Sequence, residues 1–98
     1  MSRLLKFALE VGASTIVRTG RSVAGPRFLA VDWQDDDLVV WAEATPADDF
    51  GLDETELVVR MTGQEAPTPS TDFRYIGTAH GIVGGQRLVA HVYERVRA

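Results

Sequence analysis

The 98-residue chain has 45% hydrophobic and 24% charged residues, a formal net charge of −4 and no cysteine. This length suits a single domain over residues 1–98, and the composition is that of a globular protein rather than a disordered one. Scattered basic residues argue against tight nucleic-acid binding, and a chain without cysteine can form neither a disulfide nor a thiolate metal site.

Two short strands are predicted at the start of the chain. Residues 4–9 are mostly apolar, with Phe7 and Leu9 on one parity, and are expected to form an edge strand. A short helix is the alternative for this segment. Residues 14–18 are rich in β-branched side chains and lie between the turn signals Gly12 and Gly20, which predicts the second strand.

Residues 27–46, RFLAVDWQDDDLVVWAEATP, give the clearest structural signal. Two runs that alternate between apolar and polar side chains flank the acidic connection at residues 34–37, which predicts a β-hairpin. A four-residue connection pairs Trp33 with Leu38, Val31 with Val40 and Leu29 with Ala42. This face is uniformly apolar and is therefore expected to point into the core.

The opposite face of this hairpin carries two aromatic residues, Phe28 and Trp41. In a structural role, Trp41 packs beneath the N-terminal strand or a loop and forms a hydrogen bond through its indole N–H. In a functional role, Trp41 and Phe28 share an exposed patch that binds a partner protein or a ring-shaped ligand.

The second half of the chain continues the β pattern. Residues 47–53 form an acidic surface loop, residues 55–62 a strand, and residues 64–72 a loop with two prolines that cannot join a sheet ladder. Strands at 74–80 and 87–93 follow, with Gly81, Gly84 and Gly85 in their connection. The predicted fold is all-β, a small antiparallel β-sandwich or partly open barrel of about six to seven strands.

No metal, cofactor or catalytic site is predicted. Asp35, Asp36 and Asp37 lack the alternate spacing and the glycine of a calcium loop. A turn about residues 83–84 places His91 across from Ile76 and His80 across from Arg87, on one face but too far apart for one metal ion. Neither a G-x-S-x-G elbow nor a phosphate-binding loop is present, so an enzyme is not expected.

Five segments carry a further signal: KFALE at residues 6–10, LVVWA at 38–42, VRMTG at 59–63, YIGT at 75–78 and GGQRLVAHVYE at 84–94. In these segments the chain resembles a widespread family of small phage-encoded and prophage-encoded domains of unassigned function. The family supplies no catalytic residues. The resemblance implies a viral context and a small accessory protein.

The expected function is that of an interaction module that modulates a host protein. The alternative is a binding module, or sponge, for a small nucleotide-like ligand, whose phosphates would pair with arginines. No segment has the length of a membrane span or signal peptide, so a soluble protein of the host cytoplasm is expected, with no nucleic-acid or membrane partner. Edge strands near both termini predict a homodimer. The candidate ligand- or partner-binding residues are Phe28, Trp41, Arg74, Tyr75, Arg87, His91 and Tyr93.

Overall fold

Seven strands make up the fold in the computed structural model, which describes residues 2–48 and 51–96. No α-helix occurs among these residues, and a single 3₁₀ turn spans Ser70–Asp72. The predicted all-β class is confirmed. The strands are β1 (Arg3–Leu9), β2 (Ser14–Gly20), β3 (Arg27–Gln34), β4 (Asp37–Ala44), β5 (Leu52–Met61), β6 (Phe73–Val83) and β7 (Gln86–Arg95).

The strands form two antiparallel sheets, one in the order β1-β4-β3 and the other in the order β2-β5-β7-β6. The sheets face each other and do not close into a barrel, so the sandwich form of the prediction is confirmed. Side chains from the two inner faces bury one common core. The core includes Leu9, Leu38 and Val40 from the first sheet and Leu57, Val59 and Val92 from the second.

The β3–β4 hairpin follows the predicted register only near its turn. Trp33 pairs with Leu38 and Val31 with Val40, as expected. The predicted pairing of Leu29 with Ala42 is wrong, because a β-bulge between Phe28 and Ala30 inserts one extra residue and Phe28 pairs with Ala42 instead. Leu29 is consequently 45% exposed, whereas Phe28 packs against the core.

The two sheets approach each other closely where β3 lies over β6. The indole Nε1–H of Trp33 donates to the carbonyl oxygen of Ala79 at 3.3 Å. A Cβ atom added at Gly81 would lie only 2.3 Å from Cδ1 of Trp33. Gly81 was predicted to lie in the connection between the last two strands, but it is part of β6. Because glycine has no side chain, it leaves the space that the indole of Trp33 fills.

Residues 62–72 form a crossover segment that carries the chain from one side of β7 to the other, since β5 and β6 flank β7. The segment lies against the outer face of the four-stranded sheet, where Pro67 and Val58 are both buried. The backbone N–H of Gln64 donates to the carbonyl of Met61 at 3.0 Å. The predicted proline-containing loop is confirmed, and it covers part of this face.

The position of the last strand corrects one expectation. β1 is an edge strand, as predicted, but β7 lies inside its sheet between β5 and β6. The prediction of an edge strand near the C-terminal end is therefore wrong. The tight β6–β7 hairpin docks on β5 through β7, which leaves β6 at the edge of the sheet.

Candidate functional site

The turn of the β6–β7 hairpin fixes which side chains meet on its surface. Gly84 and Gly85 have φ values of 57° and 80°, and Val83 pairs with Gln86, so the turn contains two residues. His91 therefore lies opposite Thr78, and His80 opposite Val89. The predicted pairing of these histidines with Ile76 and Arg87 is wrong by two residues, because the turn is centred one residue later than expected.

A β-bulge at Ile76 shapes the same surface. Tyr75 pairs with Tyr93 while Gly77 pairs with Val92, so Ile76 has no partner of its own in the register and packs against the core. Residues three positions apart in a regular strand point to opposite faces. The extra residue reverses this parity and brings Tyr75 to the same outer face as Thr78.

We call this outward surface of the hairpin the β6–β7 face. Its exposed large hydrophobic side chains are Tyr75 and Ile82, which are 55% and 69% exposed. His80 and Arg87 are also exposed, and the remaining members are half-buried. The face consists of Tyr75, Thr78, His80, Ile82, Arg87, Val89, His91 and Tyr93.

A hydrogen-bonded network holds the centre of the β6–β7 face. The hydroxyl groups of Tyr75 and Thr78 are 2.5 Å apart, and Oγ1 of Thr78 lies 3.0 Å from Nδ1 of His91. Nε2 of His91 lies 2.9 Å from Oγ1 of Thr62, at the start of the crossover segment. The rings of Tyr75 and Tyr93 meet edge to face with centroids 5.7 Å apart. The two tyrosines and His91 are thus fixed in place before any ligand binds.

The side-chain hydrogen bonds of His91 are made with threonine hydroxyl groups. Thr78 lies at Nδ1 and Thr62 at Nε2, and among the described residues no carboxylate is bonded to the ring. Within residues 2–48 and 51–96, no group of three or more histidine, aspartate or glutamate side chains is placed to hold a metal ion. The face offers aromatic surface, hydroxyl groups and positive charge.

The predicted site residues divide between different surfaces. Tyr75, Arg87, His91 and Tyr93 are brought together on the β6–β7 face. Arg74 instead bonds through Nε and a terminal nitrogen to Oε1 of Glu94, both at 2.8 Å.

The Arg74–Glu94 pair has a structural explanation. Glu94 points to the inner side of the sheet, and only 10% of its side chain is exposed. The hydrogen bond and negative charge of Glu94 raise the pKa of Arg74. The positive charge of the Arg74 guanidinium in turn balances the nearly buried carboxylate of Glu94.

Phe28 and Trp41 do not form the patch that was expected. The bulge in β3 turns Phe28 into the core, whereas Trp41 lies half-buried on the outer face of the three-stranded sheet. The cross-strand neighbours of Trp41 are Lys6 and Ala30. The prediction that these two aromatic rings share a face is wrong.

Sequence reasoning missed Thr62, Thr78 and Ile82 as members or supports of the site. The signal for Thr78 is the Gly84-Gly85 pair, because a two-residue glycine turn sets Thr78 opposite His91. Ile82 follows from the same register, opposite Arg87. No local signal marks Thr62, which reaches His91 only through the docking of β5 beside β7.

In the part of the chain that the structure describes, no helix is long and apolar enough to cross a membrane.

Comparisons with known proteins give a family but no activity. Neither the curated proteins nor the solved structures include a match to this chain. A domain of unknown function, DUF7352, matches residues 1–98, and the chain belongs to this family.

Proposed function

We propose that this protein is a small interaction module that binds another protein through its β6–β7 face. The carrying observation is the cluster of Tyr75, Tyr93, His91, Ile82 and Arg87 on an open sheet surface. We also propose that the protein is a phage-encoded accessory protein, which acts in the host cytoplasm and modulates a host protein.

The composition of the β6–β7 face supports a protein partner. Tyrosine and arginine are enriched among the side chains that contribute most to protein–protein affinity. The bonds from Thr78 to Tyr75 and His91 fix the rotamers of one such tyrosine and of the neighbouring histidine in advance. Pre-ordered side chains lose less entropy when a partner binds, so this surface is suited to recognition.

The alternative, a nucleotide-like ligand, has less support from the arginines. Arg95 bonds to Glu56 at 2.6 Å and lies 4.7 Å over the ring of Phe73. Arg74 is bound to Glu94, and Nε of Arg60 donates to the carbonyl of Glu65 at 3.0 Å. Phosphate binding at these three arginines would have to break these contacts and would leave Arg87 as the available cation, so we propose a protein partner.

Affinity capture from lysate of the bacterial host, with matched variants, tests the proposed function. The double variant Tyr75→Ser and Ile82→Ser removes the two most exposed apolar side chains of the β6–β7 face. We expect it to lose the proteins that the wild-type chain captures, because truncating a central contact weakens an interface by about tenfold or more.

The control for this capture is Ile16→Ser, which alters an isoleucine that is 44% exposed on edge strand β2 of the same sheet. This variant is expected to capture the same proteins as the wild type. Capture that is unchanged in the double variant, or absent with the wild type, would contradict the proposal.

A homodimer through the edge of β1 is the second prediction for partners. Among the described strands β1 pairs with β4 alone, and it presents one row of backbone groups to a second copy, with Leu4 75% exposed beside it. Sedimentation at micromolar concentration should give twice the monomer mass, and Leu4→Lys should give the monomer. The loop variant Val23→Lys should remain dimeric, and a wild-type monomer would reject this prediction.

A further inference from the structure

We infer that the β6–β7 face binds an acidic segment of the partner protein, with a carboxylate at Arg87 and His80. The inference rests on the proposed function and adds the chemistry of the partner. Its basis is the unbalanced charge of one hairpin in an otherwise acidic chain.

The β6–β7 hairpin differs in charge from the remainder of the molecule. No carboxylate occurs between Phe73 and Tyr93, although the chain as a whole has a net charge of −4. Two arginines and both histidines lie in this interval. Arg74 is paired with Glu94, the residue that directly follows the interval, so the arginine charge left without a partner is that of Arg87.

The arginines on the rest of the same outer sheet face are already engaged. Arg18 pairs with Glu54 at 2.9 Å and Arg95 with Glu56 at 2.6 Å. Across residues 2–48 and 51–96, Arg87 makes neither an ion pair nor a side-chain hydrogen bond. Arg87 is an exposed residue, and its guanidinium offers a planar set of donors that fits a carboxylate.

The register places apolar contacts beside this charge. Arg87 lies opposite Ile82 and Val89 opposite His80, so Arg87 and His80 are diagonal neighbours on one face. Diagonal neighbours have Cα atoms about 7–8 Å apart, within reach of one acidic side chain and the backbone that carries it. Ile82 and Val89 occupy the other two corners and suit an apolar side chain next to the acidic one. A partner segment that fits this surface therefore has an acidic residue next to an aliphatic one.

The test is an NMR titration of the full-length ¹⁵N-labelled chain with a ten-residue peptide. The peptide has two leucines at its centre and aspartates at all other positions. The amide signals of Ile82, Arg87 and Val89 are expected to shift, and added salt should weaken binding because the contact is electrostatic. Arg87→Glu should weaken binding by about tenfold or more, since it reverses the central charge.

A charge-matched control separates local contact from net charge. Arg18→Glu makes the same change in net charge but alters β2, where Arg18 pairs with Glu54, and should change affinity less than about twofold. Equal loss in both variants, shifts located elsewhere, or no shift at all would overturn the inference. The same decapeptide with lysines in place of aspartates should not bind.

Two further results are informative because they separate the inference from the proposed function. Tighter binding of a deca-thymidine oligonucleotide than of the aspartate peptide would overturn the acidic-peptide inference in favour of single-stranded nucleic acid. If the peptide fails but lysate capture still depends on Tyr75 and Ile82, the interaction module stands and only the acidic chemistry is wrong.

Discussion

Gly20→Ala is expected to lower the free energy of unfolding by roughly 3 kcal/mol, the upper part of the usual range for overpacking. A Cβ at this position would lie 2.3 Å from the carbonyl oxygen of Pro46 and 2.8 Å from Cγ2 of Thr45. The backbone cannot easily retreat, because the N–H of Gly20 donates to the carbonyl of Thr45 at 2.7 Å. Urea unfolding of the wild type and of Gly20→Ala measures the difference in the free energy of unfolding, provided that this free energy depends on urea concentration with the same slope in both proteins.

Gly84→Ala is the control for this substitution. Position 84 has open space within 4 Å but a φ of 57°, so alanine there meets only the backbone penalty of a left-handed conformation, about 1 kcal/mol. A Gly20→Ala protein as stable as the wild type would show that the end of β2 and the chain after β4 are not packed as described.

Gly81→Ala is expected to cost about 2 kcal/mol or more, because its Cβ would overlap the indole ring of Trp33. The nearest ring atoms would be 2.3, 2.7 and 2.9 Å away. Moving the ring would also break the bond from Trp33 to the carbonyl of Ala79. Thermal and urea unfolding, followed by circular dichroism, would measure the loss.

A double-mutant cycle makes the Gly81 prediction specific to one contact. Trp33→Leu alone should destabilise the protein, because it removes most of the indole and its hydrogen bond. In the Trp33→Leu background, Gly81→Ala should cost at least about 1 kcal/mol less than in the wild type. Strict additivity would mean that alanine at position 81 acts on some other neighbour.

The sequence pattern predicted strands well where alternation is regular. The runs on either side of residues 34–37 gave the β3–β4 hairpin and its register at Trp33 and Val31, because the short acidic connection locates the turn and the alternation fixes which side chains share a face. Alternation cannot show where an extra residue interrupts a strand. The bulges at Leu29 and Ile76 therefore changed the direction of Phe28 and Tyr75 without a local warning.

The candidate site was predictable in part. Tyr75, Arg87, His91 and Tyr93 were identified from residue type, and the structure places all four on one face. Their neighbours depend on a turn centre that a glycine-rich connection leaves open, so the partners of His91 and His80 were misassigned. Thr62 depends on tertiary docking of β5, which no local pattern encodes.

The interior position of β7 has a consequence for biosynthesis. β5 and β6 both pair with β7, which is the last of the seven strands in chain order. A nascent chain that ends before Gln86 therefore exposes one unpaired edge on β5 and leaves β6 without β7, the strand with which it pairs. The four-stranded sheet can assemble only after residue 95 has emerged from the ribosome, and until then these edges are open to aggregation or chaperone binding.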